Sequence, residues 1–266
     1  MVNITRSLRS KVAQLRRRSG GDRDADVIAL REQFAKDGVV YLPPCQEAMG
    51  WLATAQRIAG ETSSSADCRR LHEGTWIEHN RLPLPLPPHE LFRRLLHALL
   101  GYGPYLAPDL AQLSSLAPGF PASDERKRST NSKHVDGSTP EDTVIWHGLI
   151  VGVVLTDLNE RNRGNPVSWP TSHQYTRKAF ARLGDSPSEA ELARCIRSLS
   201  GESLSIPEKQ FVGPAGSILV MDHALHHGMA PNDGGVTRHM VYYRLPWRPT
   251  TRAADVVKPH FFVRSL

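Results

Sequence analysis

The sequence predicts an α+β domain with a mainly β core, and three observations lead there. Helix-like segments crowd the first hundred residues, short strand-like segments separated by Gly, Pro and Asn follow, and two further helical segments interrupt those strands. Strands spaced in this way close as a sandwich or barrel, with the early helices packed on one outer face. A chain of 266 residues is long enough for one large core. With 39% apolar and 23% charged residues, the composition excludes collagen-like, disordered and coiled-coil architectures. The longest apolar runs, such as 149–155, are too short to span a bilayer, and no apolar segment follows the basic start as a secretory signal requires. Three widely spaced cysteines, Cys45, Cys68 and Cys195, suggest reduced thiols and a cytoplasmic location instead of a disulfide framework.

Residues 1–25 read as a basic N-terminal arm and 26–266 as a single domain. The arm carries Arg6, Arg9, Lys11, Arg16, Arg17 and Arg18 with no acid before residue 22, which matches the whole formal charge of +6. The rest of the chain is therefore balanced, so the domain is not a nucleic-acid binder by composition. Ile4, Leu8, Val12 and Leu15 recur at helical spacing within the arm. A helix follows over 26–36, with Asp24 or Asp26 as its cap and Gly38 as its end. Val39–Leu42 reads as a strand stopped by Pro43-Pro44, 46–59 as one helix, Pro83–Pro88 as an extended connector, and His89–Leu100 as a third helix. Strands are expected over 110–116, 149–155, 217–221 and 238–245, and inserted helices over 174–183 and 188–199.

Twelve histidines direct attention to those beside carboxylates. In His134-Val135-Asp136 an extended backbone places the imidazole and the carboxylate on one side. The segment His223-Ala224-Leu225-His226-His227-Gly228 offers a third ligand. Two histidines and one carboxylate on one face of a metal leave three positions open, which suits Fe(II) chemistry with a cosubstrate and dioxygen. If 223–227 is extended, His223 and His227 share one face and His226 points away.

The motifs after these residues resemble those of the phytanoyl-CoA dioxygenase-like family of Fe(II)- and 2-oxoglutarate-dependent oxygenases. Pro214–Asp222 supplies a glycine turn and an apolar strand. His227-Gly228 and Asn232 follow, and Arg238 lies eleven residues after His227. Residues 149–157 resemble the family's buried strand, 164–173 its turn before a Ser-His pair, and 34–43 its opening helix and strand. The similarity spans roughly 27–246. It implies a double-stranded β-helix, or jelly roll, with helices outside. It further implies His134, Asp136 and His227 as iron ligands and Arg238 as the partner of the distal carboxylate of 2-oxoglutarate. Two positions depart from the family pattern: Met229 stands where a hydroxyl residue is usual, and Thr171 where glycine is usual.

The implied activity is hydroxylation of a small organic molecule with release of succinate and CO2, using Fe(II), 2-oxoglutarate and dioxygen. The retained Asp136 disfavours halogenation. Gln112, on the strand before the His-X-Asp segment, is a candidate cosubstrate contact, and Lys133 and Trp146 are candidate substrate contacts. The competing reading is a non-catalytic jelly-roll binding protein with a vestigial site.

Overall fold

The computed structural model describes residues 23–60, 68–71, 76–100, 111–120, 133–137, 148–184, 187–201 and 204–245. The arm expected over 1–25 lies outside them up to residue 22. Helix α1 spans Arg23–Asp37, starting earlier than expected. Asp24 and Asp26 consequently lie in its first turn, where they meet the positive end of the helix dipole instead of capping it. Gly38 ends the helix at φ +74° and returns its N–H to the Phe34 carbonyl. A Cβ at Gly38 would fall 2.5 Å from His173 Nδ1 and 2.9 Å from Leu225 Cδ1, so both backbone angle and space demand glycine.

Strand β1 (Val39–Leu42) follows as expected. The single helix expected over 46–59 is two helices, α2 (Gln46–Met49) and α3 (Leu52–Gly60). The break falls where the Gly50 N–H bonds back to the Glu47 carbonyl, a tighter i to i−3 turn. An antiparallel pair, β2 (Cys68–Leu71) and β3 (Trp76–Leu82), was not anticipated. Helix α4 spans Glu90–Leu100 and is capped by His89, whose Nδ1 accepts the Phe92 N–H. The remaining elements are β4 (Ala111–Leu116), β5 (Leu149–Val154), β6 (Pro166–Ser168), α5 (Ser172–Ala181), α6 (Glu189–Gly201), β7 (Lys209–Gln210), β8 (Ile218–Asp222), β9 (His227–Met229) and β10 (Arg238–Leu245). Ser188 and Glu191 start α6 as a reciprocal capping box, each side chain accepting the other's N–H.

These strands build a seven-stranded antiparallel sheet, in the order β1-β8-β5-β10-β4-β3-β2, and a three-stranded one, β7-β6-β9. The fold is the double-stranded β-helix, with helices outside a β core. Strand β10 shows how two faces are kept apart. Val241, Tyr243 and Leu245 face outward and pack in one core with Phe34 of α1, Ala55 of α3 and Phe92, Leu95 and Leu96 of α4. Arg238, Met240, Tyr242 and Arg244 take the opposite, inner face by period-2 alternation. There Met240 packs with Val154, Leu219 and Phe211, the last beside the small sheet.

Two features of this frame have measurable consequences. Thr171, between β6 and α5, sits at φ +74°, a left-handed conformation that strains a β-branched residue. Its side chain caps nothing, and its N–H donates to the Asp37 carbonyl, a bond that glycine keeps. Thr171→Gly is expected to raise stability by about 0.5–1 kcal/mol, the relieved strain exceeding the added unfolded-state freedom. Gly38→Ala is expected to lower it by about 2–4 kcal/mol through strain and overlap. Thermal unfolding reads both, at roughly 2–4 °C per kcal/mol.

A second expectation concerns acid. Burial pushes the His226 and His239 imidazoles down to about 4, so the folded protein holds them neutral. An unfolded chain protonates them near 6.5. Their contribution is therefore complete above about pH 6.5 and is lost as pH falls towards about 4. Urea midpoints should drop across that window, and His239→Gln should flatten the drop.

Candidate metal centre

The small sheet carries the site. Strand β6 pairs with β9 so that Ser168 lies opposite His227. On the other side of β9, His134 forms an antiparallel bridge to the same residue. The His134 N–H donates to the His227 carbonyl at 2.9 Å, and the reverse bond is 3.0 Å. Two residues 93 positions apart thus become direct cross-strand neighbours. Val135 turns the other way and is buried among Phe180 of α5 and Leu192, Ile196 and Leu199 of α6. Its N–H reaches Ser200 Oγ at 3.3 Å. With Val135 keyed into the inserted helices, alternation delivers His134 and Asp136 together to the opposite side.

The three side chains converge. Asp136 Oδ1 lies 3.3 Å from His134 Nε2 and 3.7 Å from His227 Nε2. The two imidazole centroids are 4.4 Å apart, and one donor atom from each of the three residues lies within 4.8 Å of the others. His227 Nδ1 faces the Leu225 carbonyl at 2.9 Å, which places its proton there and leaves the Nε2 lone pair towards the site. Burial and the neighbouring His134 push the His227 imidazole down to about 4, so it is neutral, the form that binds a metal. For Asp136, burial alone would raise the carboxyl. The hydrogen bond from His134 and the charge of Arg244 outweigh it and hold the group well below the usual carboxylate range. Two imidazoles and one ionised carboxylate are a donor set for a divalent transition metal.

The competing histidines are placed elsewhere. Residues 223–226 form a turn and not extended chain, so strand parity is not what separates His227 from His226. His227 opens β9, whereas His226 is clamped by its backbone. Its N–H donates to Ser172 Oγ at 2.9 Å and its carbonyl accepts the Trp169 N–H at 3.0 Å. The His226 ring lies near Tyr175 and neither ring nitrogen makes a hydrogen bond. His223 belongs to a separate buried cluster with Asp222, whose carboxylate pairs with Arg177 of α5.

Arg238 is fully buried at the start of β10. Its Nε donates to the Gly164 carbonyl at 2.8 Å, and Nη1 donates to the Ser114 carbonyl at 3.0 Å and to Ser114 Oγ at 3.3 Å. Nη2 makes no hydrogen bond of ordinary geometry. The guanidinium sits beside Ser114 and Tyr242, which line the cavity that holds His134, Asp136 and His227; Arg238 itself is not among that cavity's walls and lines a separate cleft with Thr156, Asp157 and Arg163. Gln112 and Met229 line the same cavity. Lys133 is not among its walls; its charge acts on His226. Trp146 lies outside the described residues.

Arg244 was missed as a site residue. Its Nε donates to Asp136 Oδ2 at 3.1 Å and its Nη1 to Gln112 Oε1 at 2.6 Å. The signal was present: 238 and 244 are an even number of residues apart on one strand, so both must face inward.

No protein-family profile and no curated protein sequence matches the chain. Solved structures do. AviO1 from Streptomyces viridochromogenes Tue57 superposes with a TM-score of 0.50 at 19% identity, over 85% of this chain and 96% of that one. EvdMO1 gives 0.53 at 19% identity, over 84% of this chain and 50% of its own. The epimerase SnoN, solved with Fe3+, alpha ketoglutarate and nogalamycin RO, gives 0.49 at 17% identity, over 86% and 93%. At these identities the likeness is one of fold, which the chain shares with AviO1 and EvdMO1.

Proposed function

We propose that the chain is a non-haem Fe(II)- and 2-oxoglutarate-dependent oxygenase that hydroxylates a small organic molecule. The observation that carries this reading is the convergence of His134, Asp136 and His227 inside a double-stranded β-helix. The order of the motifs supports a place in the phytanoyl-CoA dioxygenase-like family. Fe(II) suits the donor set, and it would leave three positions open for cosubstrate and dioxygen. A second fit lies at Arg238. Nε and Nη1 of this buried guanidinium are bonded, and Nη2, without an ordinary hydrogen bond among the described residues, is left to take an anion. The distal carboxylate of 2-oxoglutarate supplies one, held by a charge-assisted bond.

When bound, iron and 2-oxoglutarate supply the oxidising chemistry, with dioxygen as oxidant and succinate and CO2 as by-products. The chain's own residues prepare the site. His227 is locked in one tautomer by Leu225, and Asp136 remains ionised. Ile150, Val167, Met221 and Met229 line the cavity with apolar surface and keep water from the reacting region. Met229, a weak acceptor at most, offers no donor to 2-oxoglutarate, so Ser114 and Tyr242 are the hydroxyls placed beside Arg238 to supplement it. Among the described residues no helix is long and apolar enough to cross a membrane.

Anaerobic reconstitution followed by a succinate-release screen across candidate metabolites tests the activity. Wild-type protein should bind iron and turn over 2-oxoglutarate; an iron-free, inert protein would favour the vestigial jelly roll. Asp136→Ala and His227→Ala should lose iron and turnover, whereas His226→Ala should keep iron. Retention of full iron occupancy by Asp136→Ala would remove it from the ligand set.

The cosubstrate has its own test. Loss of a buried partner of a charged group costs about 2–5 kcal/mol. Arg238→Ala should therefore weaken 2-oxoglutarate binding roughly 30-fold or more, at 1.4 kcal/mol per tenfold, with iron affinity little changed. Arg238→Lys should recover part of it, since an ammonium lacks the planar fork. Calorimetric titration of the anaerobic Fe(II) protein gives the constants, and an unchanged value in Arg238→Ala would assign the diacid to another residue.

A further inference from the structure

We propose that Arg244 is a positioning residue for the metal centre. Its Nε holds one oxygen of Asp136, so that only the other is offered to the metal, and Gln112 braces the guanidinium in that setting. This inference rests on the reading of His134, Asp136 and His227 as metal ligands.

The two oxygens of Asp136 are already sorted. Oδ1 faces both histidine Nε2 atoms, at 3.3 and 3.7 Å, and Oδ2 accepts from Arg244 Nε at 3.1 Å. The sorting has a chemical purpose. A carboxylate that took a metal through both oxygens would use a second coordination position. Three positions stay open only if it binds through one. Arginine suits the task because it stays charged at any relevant pH and presents its donors in a rigid plane. The plane is itself fixed. Nη1 donates to Gln112 Oε1 at 2.6 Å, and Gln112 pairs with Tyr242 in the β4–β10 ladder, two residues from Arg244. Such diagonal neighbours are within reach for long side chains. Arg244 and Gln112 both line the cavity, so this brace forms part of its wall.

A cation beside a cation site would otherwise be a liability, since its charge opposes that of the incoming metal. Balance of charge alone would not require the two directional bonds that hold Arg244. Outer partners of metal ligands typically contribute 10–100-fold in metal affinity by fixing ligand orientation. The same is expected of Arg244.

The test measures Mn(II) affinity of the full chain, from the paramagnetic resonance signal of free Mn(II), with thermal melts alongside. Wild type should bind, and Asp136→Ala should not. A wild type that fails to bind, or an Asp136→Ala that binds equally well, would overturn the metal centre and this proposal with it. With those controls met, Arg244→Met should weaken Mn(II) binding by about 10–100-fold. Gln112→Leu should weaken it less, with its melting temperature nearly unchanged. The double variant should lose less than the sum of the two single losses, because Gln112 braces Arg244. Arg244→Lys should recover only part of the loss, because an ammonium cannot hold Asp136 and Gln112 in one fixed plane. Unchanged or tighter binding in Arg244→Met would overturn the proposal while leaving the metal centre standing. Additive losses in the double variant, or full recovery in Arg244→Lys, would also overturn it. Should Arg244→Met fail to fold, Gln112→Leu decides alone: unchanged Mn(II) affinity overturns the brace, and a loss without a lower melting temperature supports it.

Discussion

The site depends on one backbone bridge. The paired hydrogen bonds between His134 and His227 join two segments far apart in sequence, and no side-chain arrangement would bring the imidazoles together without them. The bridge has support on both sides. Strand β6 holds β9 in register, and the buried Val135 side chain anchors the His134–Asp136 segment to α5 and α6. The inserted helices are therefore more than a covering. They supply the hydrophobic socket that decides which way the His-X-Asp segment faces.

Electrostatics then follows from burial. The interior between the sheets is divided: Val39, Ile150 and Met221 form an apolar cluster on the β1, β8 and β5 side, while Gln112, Ser114, Tyr242, Arg244 and Glu78 bring polar groups from β4, β10 and β3. In such surroundings imidazoles stay neutral, and carboxylates need a hydrogen bond or a cation to stay ionised. His227 meets its condition through burial beside His134, and Asp136 through the hydrogen bond from His134 and the charge of Arg244. The cavity thus gathers two imidazoles and a carboxylate at one point, with Arg238 buried behind its walls at Ser114 and Tyr242.

Much of this was legible in the sequence, for identifiable reasons. The strands β4, β5, β8 and β10 are five to eight residues long and at least half apolar, so composition marks them. Strands β6, β7 and β9 have three, two and three residues, too few for any period to register. The β2–β3 pair carries Arg69, Arg70, Glu78, His79, Asn80 and Arg81, and its polar run hides the strand signal. The cluster of His134, Asp136 and His227 was readable because its spacing is chemical. Arg244 was not singled out because its role appears only when β10 is set beside Asp136 and Gln112. The parity argument for His227 does not hold, since 223–226 turns instead of extending; His227 joins the cluster because it opens β9.

The alternation of β10 divides its residues by how their loss would be felt. Val241, Tyr243 and Leu245 hold the sheet to the helices, so a change at any of them removes folded protein from the cell. Tyr242 and Arg244 line the cavity, where a change leaves abundance largely intact and alters what the protein does. A lineage of this fold could therefore vary its chemistry along every second residue of one strand while the intervening residues stay fixed. Over residues 241–245, loss of the protein and change in its chemistry would thus arise at alternating positions.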